Sequence, residues 1–160
     1  MSLILNSPSR TYEVYSIDTD ASEFLEFEEF VTLWRSKMKG RFLPAWKDFE
    51  LEDFAPWWGN LMVLDFYNNP FDFRYRLWGT NLAELHQLDI TNMRTADLKK
   101  IGQDCLSDLA FYEHIASNVV IGRNFGHPRW VNREHIATSY TDLPLSDNGR
   151  SVTHCMSLLI

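Results

Sequence analysis

The stretch "NLMVLDFYNNPFDFRYRLWG", residues 60–79, does most to limit what this chain folds into. Its first half is a run of β-prone apolar residues, Leu61 to Tyr67, interrupted once by Asp65. In its second half Phe73, Tyr75 and Leu77 alternate with Arg74 and Arg76, the period of a strand with one buried and one solvated face. Asn68, Asn69 and Pro70 between them are turn formers, so the two runs read as an antiparallel hairpin. The alternation stops at Gly79, and Thr80 and Asn81 both suit a helix start. A strand that turns abruptly into a short helix, about 81–88, is therefore predicted near the middle of the chain.

The flanking segments fill in an order. In "ASEFLEFEEFVTLWRSKMKG", Phe24, Phe27, Val31, Trp34 and Met38 recur at spacings of three and four. This predicts a helix over about 21–39, opened by Asp20 with Glu23 and closed by Gly40. Glutamates cluster at its start and Arg35, Lys37 and Lys39 at its end, which suits the helix dipole. Residues 1–20 read as an extension, within which "RTYEVYSID" has strand character. A short helix is expected around 50–55 and a longer one over about 97–117, its apolar side carrying Ile101, Cys105, Leu109, Tyr112 and Ala116. Three more strands are expected in "NVVIGRNFG", "RWVNREHIATSYTDL" and "SVTHCMSLLI". The fold class is α+β, one domain over 21–160.

Bulk properties remove several function classes. With 160 residues and 45% hydrophobic content the chain suits one domain with a real core. A formal charge of −7 argues against a nucleic-acid partner, which needs a basic face to displace counterions. No run approaches the roughly 20 apolar residues that cross a bilayer, and "MSLILNSPSR" lacks the basic start of a signal peptide. A cytoplasmic location is expected. Cys105 and Cys155 stand apart, with no CxxC, and read as reduced, buried thiols. No phosphate loop, HExxH, GxSxG or metal-spaced cluster is present, so no catalytic and no metal residue is assigned.

The element order, two strands, helices, then three strands, is the connectivity of a PAS domain. Particular words go further: Leu33 and Trp34, then Arg41, Leu43 and Pro44, then Asp48 and Phe49. They continue with Leu61, Leu64 and Asp65, with "FRYRLWGT" at 73–80, with Asp89 and Thr91, and with "LPLSDNG" at 143–149. Together these resemble a short PAS-like branch of alphaproteobacteria known as a domain of unknown function, over residues 24–160. The resemblance implies a five-stranded antiparallel sheet with helices on one face and an added N-terminal helix. It further implies a non-catalytic sensory or interaction module, holding a small molecule, where it holds one, between sheet and helices.

On that reading Tyr75, Leu77, Leu82, His86 and His154 are the expected ligand-binding residues. Tyr75 and Leu77 come from the second strand, Leu82 and His86 from one side of the short helix, and His154 from the apolar phase of the last strand. The cofactor is unknown. Haem is disfavoured because His114 falls opposite the Ile101–Tyr112 stripe, and covalent flavin chemistry because no Cys lies between 81 and 100; noncovalent flavin stays open. Two alternatives are kept: a small enzyme using His86, Tyr75 or Asp65 as acid–base groups, and an adaptor whose cavity is filled by its own rings. The 14% aromatic content favours the latter's plausibility. A protein partner is expected for output. Phe24, Phe27, Val31 and Trp34 present more apolar surface than a lone helix face needs, so they either cover their own sheet or meet a second copy, and a homodimer with this helix contributing is expected.

Overall fold

The computed structural model describes residues 2–6, 9–128, 133 and 135–160. Among these residues seven strands form one open, wholly antiparallel sheet: β1 (Ser2–Asn6), β2 (Arg10–Ser16), β3 (Leu61–Tyr67), β4 (Asp72–Trp78), β5 (Val120–Gly126), β6 (Thr138–Leu145) and β7 (His154–Leu159). Their order across the sheet is β1-β2-β5-β6-β7-β3-β4. The hairpin of residues 60–79 is present as β3–β4, at one edge. The expected count of five strands is too low. β2 pairs with β5 along its whole length, Arg10 opposite Gly126 through Ser16 opposite Val120, and β1 follows as the outer edge, leaving a body of six strands, β2–β7. The strand expected over 129–143 is described only from Thr138; residues 129–132 and 134 lie outside the described residues.

Helices cover both faces of the sheet, the expected N-terminal addition taking the second. On the first face lie α2 (Thr80–His86), α3 (Thr95–Lys100) and α4 (Leu106–Asn118). Contacts there include Tyr12 with Phe111 at 4.9 Å and Phe73 with Tyr112 at 5.3 Å between ring centres. On the second face lies the N-terminal helical segment, with Tyr15 against Phe24 at 5.1 Å and Arg123 over the Phe27 ring at 5.6 Å. That segment is two pieces. A 3-10 stretch, Ala21–Phe27, opens with Asp20 accepting from the Ser22 amide; it kinks at Leu25, whose φ is 52°, and α1 (Glu28–Ser36) continues.

The kink aims Phe24 and Phe27 as well as Phe30, Val31 and Trp34 at the sheet, and all five are fully buried within the single chain. The Trp34 indole also donates to the Pro144 carbonyl at 2.8 Å. Each such side chain contributes about 1.5–3 kcal/mol by leaving water. The apolar surface that suggested a dimer is therefore covered by the domain's own sheet, and these residues have nothing left to offer a second copy.

The single helix expected over 97–117 is also two. Gly102, at φ +81°, turns the chain between α3 and α4. The buried side of α4 is Asp108, Phe111, Tyr112 and Ile115, while Ile101 is 46% exposed.

Gly79 explains the abrupt end of β4, though not through backbone freedom, because its φ of −60° suits any residue. A Cβ there would stand 2.2 Å from the Gly59 carbonyl oxygen, so only a residue without one lets β4 pass that loop and start α2. Backbone cannot step aside as a side-chain tip can. Gly79→Ala is expected to cost about 3 kcal/mol, the upper part of the overpacking range, read as a lowered urea midpoint with an unchanged slope.

Candidate functional site

The site is a small cavity between the first sheet face and α2 and α4. Arg10 of β2, Met62 of β3, Tyr75 and Trp78 of β4, His86 of α2, Tyr112 of α4, Asn124 of β5 and Tyr140 of β6 line it. Seven elements thus send one or two side chains each to one place. The free space inside is about 20 Å³, room for a single water-sized occupant. The rings of Tyr75, Trp78, Tyr112 and Tyr140 take up the rest.

Polar groups around this space form a connected chain. Arg10 donates from Nε and Nη2 to the Asn124 side-chain oxygen at 3.1 and 2.6 Å, and from Nη1 to Thr138 Oγ1 and the His127 carbonyl at 2.8 Å each. The Asn124 amide nitrogen donates in turn to Asp142 Oδ2 at 2.8 Å. Asp142 Oδ1 accepts from Ser157 Oγ at 2.5 Å and from the Tyr112 hydroxyl at 3.2 Å. A buried guanidinium and a buried carboxylate are thereby joined through one amide, each hydrogen-bonded as a buried charge must be. Burial, followed by the Asp142 charge, pushes the Tyr112 hydroxyl well above its ordinary pKa, so it stays a donor. Burial raises the Cys155 thiol in the same way, and Cys155 and Cys105 are both buried.

His86 sits in the last turn of α2, 5.1 Å from the Trp78 ring. Its Nδ1 lies 3.0 Å from the Leu82 carbonyl of its own helix. A carbonyl only accepts, so Nδ1 carries a proton in this contact.

Of the five residues expected at a ligand site, Tyr75 and His86 line this cavity. Leu82 is fully buried in the core beside it. Leu77 does not face it: the β3–β4 register slips between Val63 and Leu64, so Leu64 faces Tyr75 while Val63 faces Leu77. Arg76 is the extra residue of a bulge, which flips the phase. Trp78 takes the place that alternation had given Leu77.

His154 is on the opposite face as well, because it pairs with Asp65 while Tyr75 pairs with Leu64. There Asp65 Oδ1 lies 2.6 Å from Arg76 Nε and 3.1 Å from His154 Nε2, and its Oδ2 2.6 Å from Arg74. Burial lowers the His154 pKa, with Asp147 and Asp65 opposing. Of the alternative acid–base groups His86, Tyr75 or Asp65, the first two line the cavity and Asp65 lies on the other face of the sheet. His114 is half-buried on α4, its Nδ1 3.3 Å from the Asn118 amide, and does not line the cavity.

Arg10, Asn124, Tyr112 and Tyr140 were not anticipated. One signal was present: Arg10 shares the phase of Tyr12 and Val14 in "RTYEVYS", an arginine where the pattern asks for an apolar residue. Among the described residues no group of His, Cys, Asp and Glu side chains is placed to hold a metal ion, and no helix is long and apolar enough to cross a membrane. Comparisons with protein-family models, with curated proteins and with solved structures give no match.

Proposed function

We propose that this chain is a non-catalytic sensory or protein-interaction module of PAS-like design, responding through the cavity of Arg10, Tyr75, His86, Tyr112, Asn124 and Tyr140. The observation that carries the reading is the convergence of those polar and aromatic groups from six elements on one interior point. Packing alone would fill that point with apolar side chains, at lower desolvation cost. The connectivity supports it too: a hairpin, a helical crossing through α2, α3 and α4, then three strands, with the final strand β7 beside the hairpin. A ligand in this cavity must be small and polar, or must displace rings that now fill it.

The 20 Å³ of free space favours a second reading, an adaptor whose cavity is its own aromatic core. Native mass spectrometry of protein purified from its own host separates the two. The sensory reading expects a stoichiometric added mass that is lost in Tyr75→Ala. A bare chain mass for the wild type, together with unchanged amide NMR shifts when host small-molecule extract is added, would leave only the adaptor.

A further inference from the structure

We propose that residues 20–27 form a two-state strap: kinked onto the sheet in this structure, and straightened into a continuation of α1 in a second state that carries Phe24 away from Tyr15.

The kink rests on one residue. Leu25 has φ 52° and ψ −119°, a conformation that glycine adopts freely and leucine only under strain. The chain is helical before it, from Ala21, and after it, along α1. Rotating this one backbone position into the helical well joins the two pieces. Nor does the kink bury the residue that bears it, since Leu25 stays 66% exposed. Leucine is among the better helix formers, so position 25 favours the straight form. The apolar positions agree. Phe24, Phe27, Val31, Trp34 and Met38 keep spacings of three and four across the kink, the stripe of one unbroken helix. Where local preference and tertiary packing disagree in this way, two arrangements compete.

The contacts that hold the strap down are imperfect. Phe24 packs on Tyr15, and Phe27 lies under the Arg123 guanidinium. Arg123 Nε, however, is buried with no hydrogen-bond partner among the described residues. That desolvation opposes the docked state, and movement of Phe27 relieves it.

A further tie distinguishes the two states. Arg35 of α1 donates from Nη2 to the Ile17 and Thr19 carbonyls at 2.9 and 2.7 Å. A straight helix would put Ala21 about 21 Å from Arg35 along the axis. Two further residues of chain return at most about 7 Å. The bond from Arg35 to Thr19 therefore belongs to the kinked state alone.

The test is saturation-transfer NMR of backbone amide and Cα nuclei in the full chain, comparing wild type, Leu25→Gly and Arg35→Gln. The wild type is expected to show a minor state in which the Leu25 Cα shift is helical. Glycine, at ease in the kink and poor in a helix, should lower the population of that state at least about fivefold, read at residues 24 and 26. Arg35→Gln, which removes a tie specific to the kinked state, should raise it. A wild type without exchange at Leu25 overturns the proposal, because the strap is then rigid. So does a minor state with random-coil shifts, which is a fraying end, or a population that Leu25→Gly leaves unchanged. None of these results depends on what the cavity holds, so the strap and the sensory reading fail separately.

Discussion

Replacing Phe27 and Val31 together with glutamate is expected to unfold the chain, not to release a monomer from a dimer. Both side chains are fully buried against the second sheet face. An ionised carboxylate buried without a partner costs several kcal/mol after relaxation, and two such losses reach the roughly 5–15 kcal/mol that holds a domain together. Glu at 27 has some relief. The Arg123 guanidinium lies over that ring, and its Nε is buried without an acceptor. Val31→Glu alone should therefore be worse than Phe27→Glu alone. Circular dichroism at 25 °C checks the double variant, and sedimentation of the wild type runs beside it. A double variant that keeps its helical and strand signal and merely sediments more slowly would show that α1 leaves the sheet in solution.

Why this helix looked like an interface shows how far sequence reaches. Periodicity found its apolar face correctly, since Phe24, Phe27, Val31 and Trp34 all point one way. It did not decide whether that face covers the domain's own sheet or a second copy. A single-layer picture leaves the helix without a partner, and the partner is the back of the same sheet.

The same blindness misplaced His154. Alternation gave its phase along β7, with Met156 and Leu158, and that phase is right. But where both faces are buried, phase does not say which one meets the cavity. Leu77 was lost to a bulge, which adds one residue to β4 and leaves no mark in a pattern of alternating Phe, Arg, Tyr, Arg and Leu.

The hairpin, the short helix after it and the three closing strands were legible because their signals are local: alternation, turn residues, caps. The membership of β2 was not, because its partner β5 lies more than a hundred residues away. Residues 10–16 show an ordinary strand pattern, and nothing in them names the edge they join. The cavity was half legible for the same reason. Tyr75 and His86 come from the hairpin and its helix, whereas Arg10, Asn124 and Tyr140 meet only once β2, β5 and β6 are side by side.

Asp142→Ala tests whether that meeting is structural. Its carboxylate accepts from Asn124, Tyr112 and Ser157, three donors from β5, α4 and β7, and through Asn124 it is linked to Arg10 on β2. Alanine removes the acceptor and leaves the donors buried, each with a desolvation cost of about 1–3 kcal/mol. It also strips the nearby guanidinium of its relayed counter-charge. Breaking a buried charge network from one side typically costs about 3–5 kcal/mol, and that is the loss expected in urea unfolding. Asp142→Asn should lose less, since one oxygen still accepts while its amide meets donors it cannot satisfy. Ser157→Ala, which removes one donor and leaves the carboxylate those of Asn124 and Tyr112, should cost only about 1 kcal/mol. The order Ala, then Asn, then Ser157→Ala follows from counting donors left without an acceptor. If Asp142→Ala unfolds within about 1 kcal/mol of the wild type, the network does not bind β2 and α4 to the sheet, and its polar groups are present for a ligand alone.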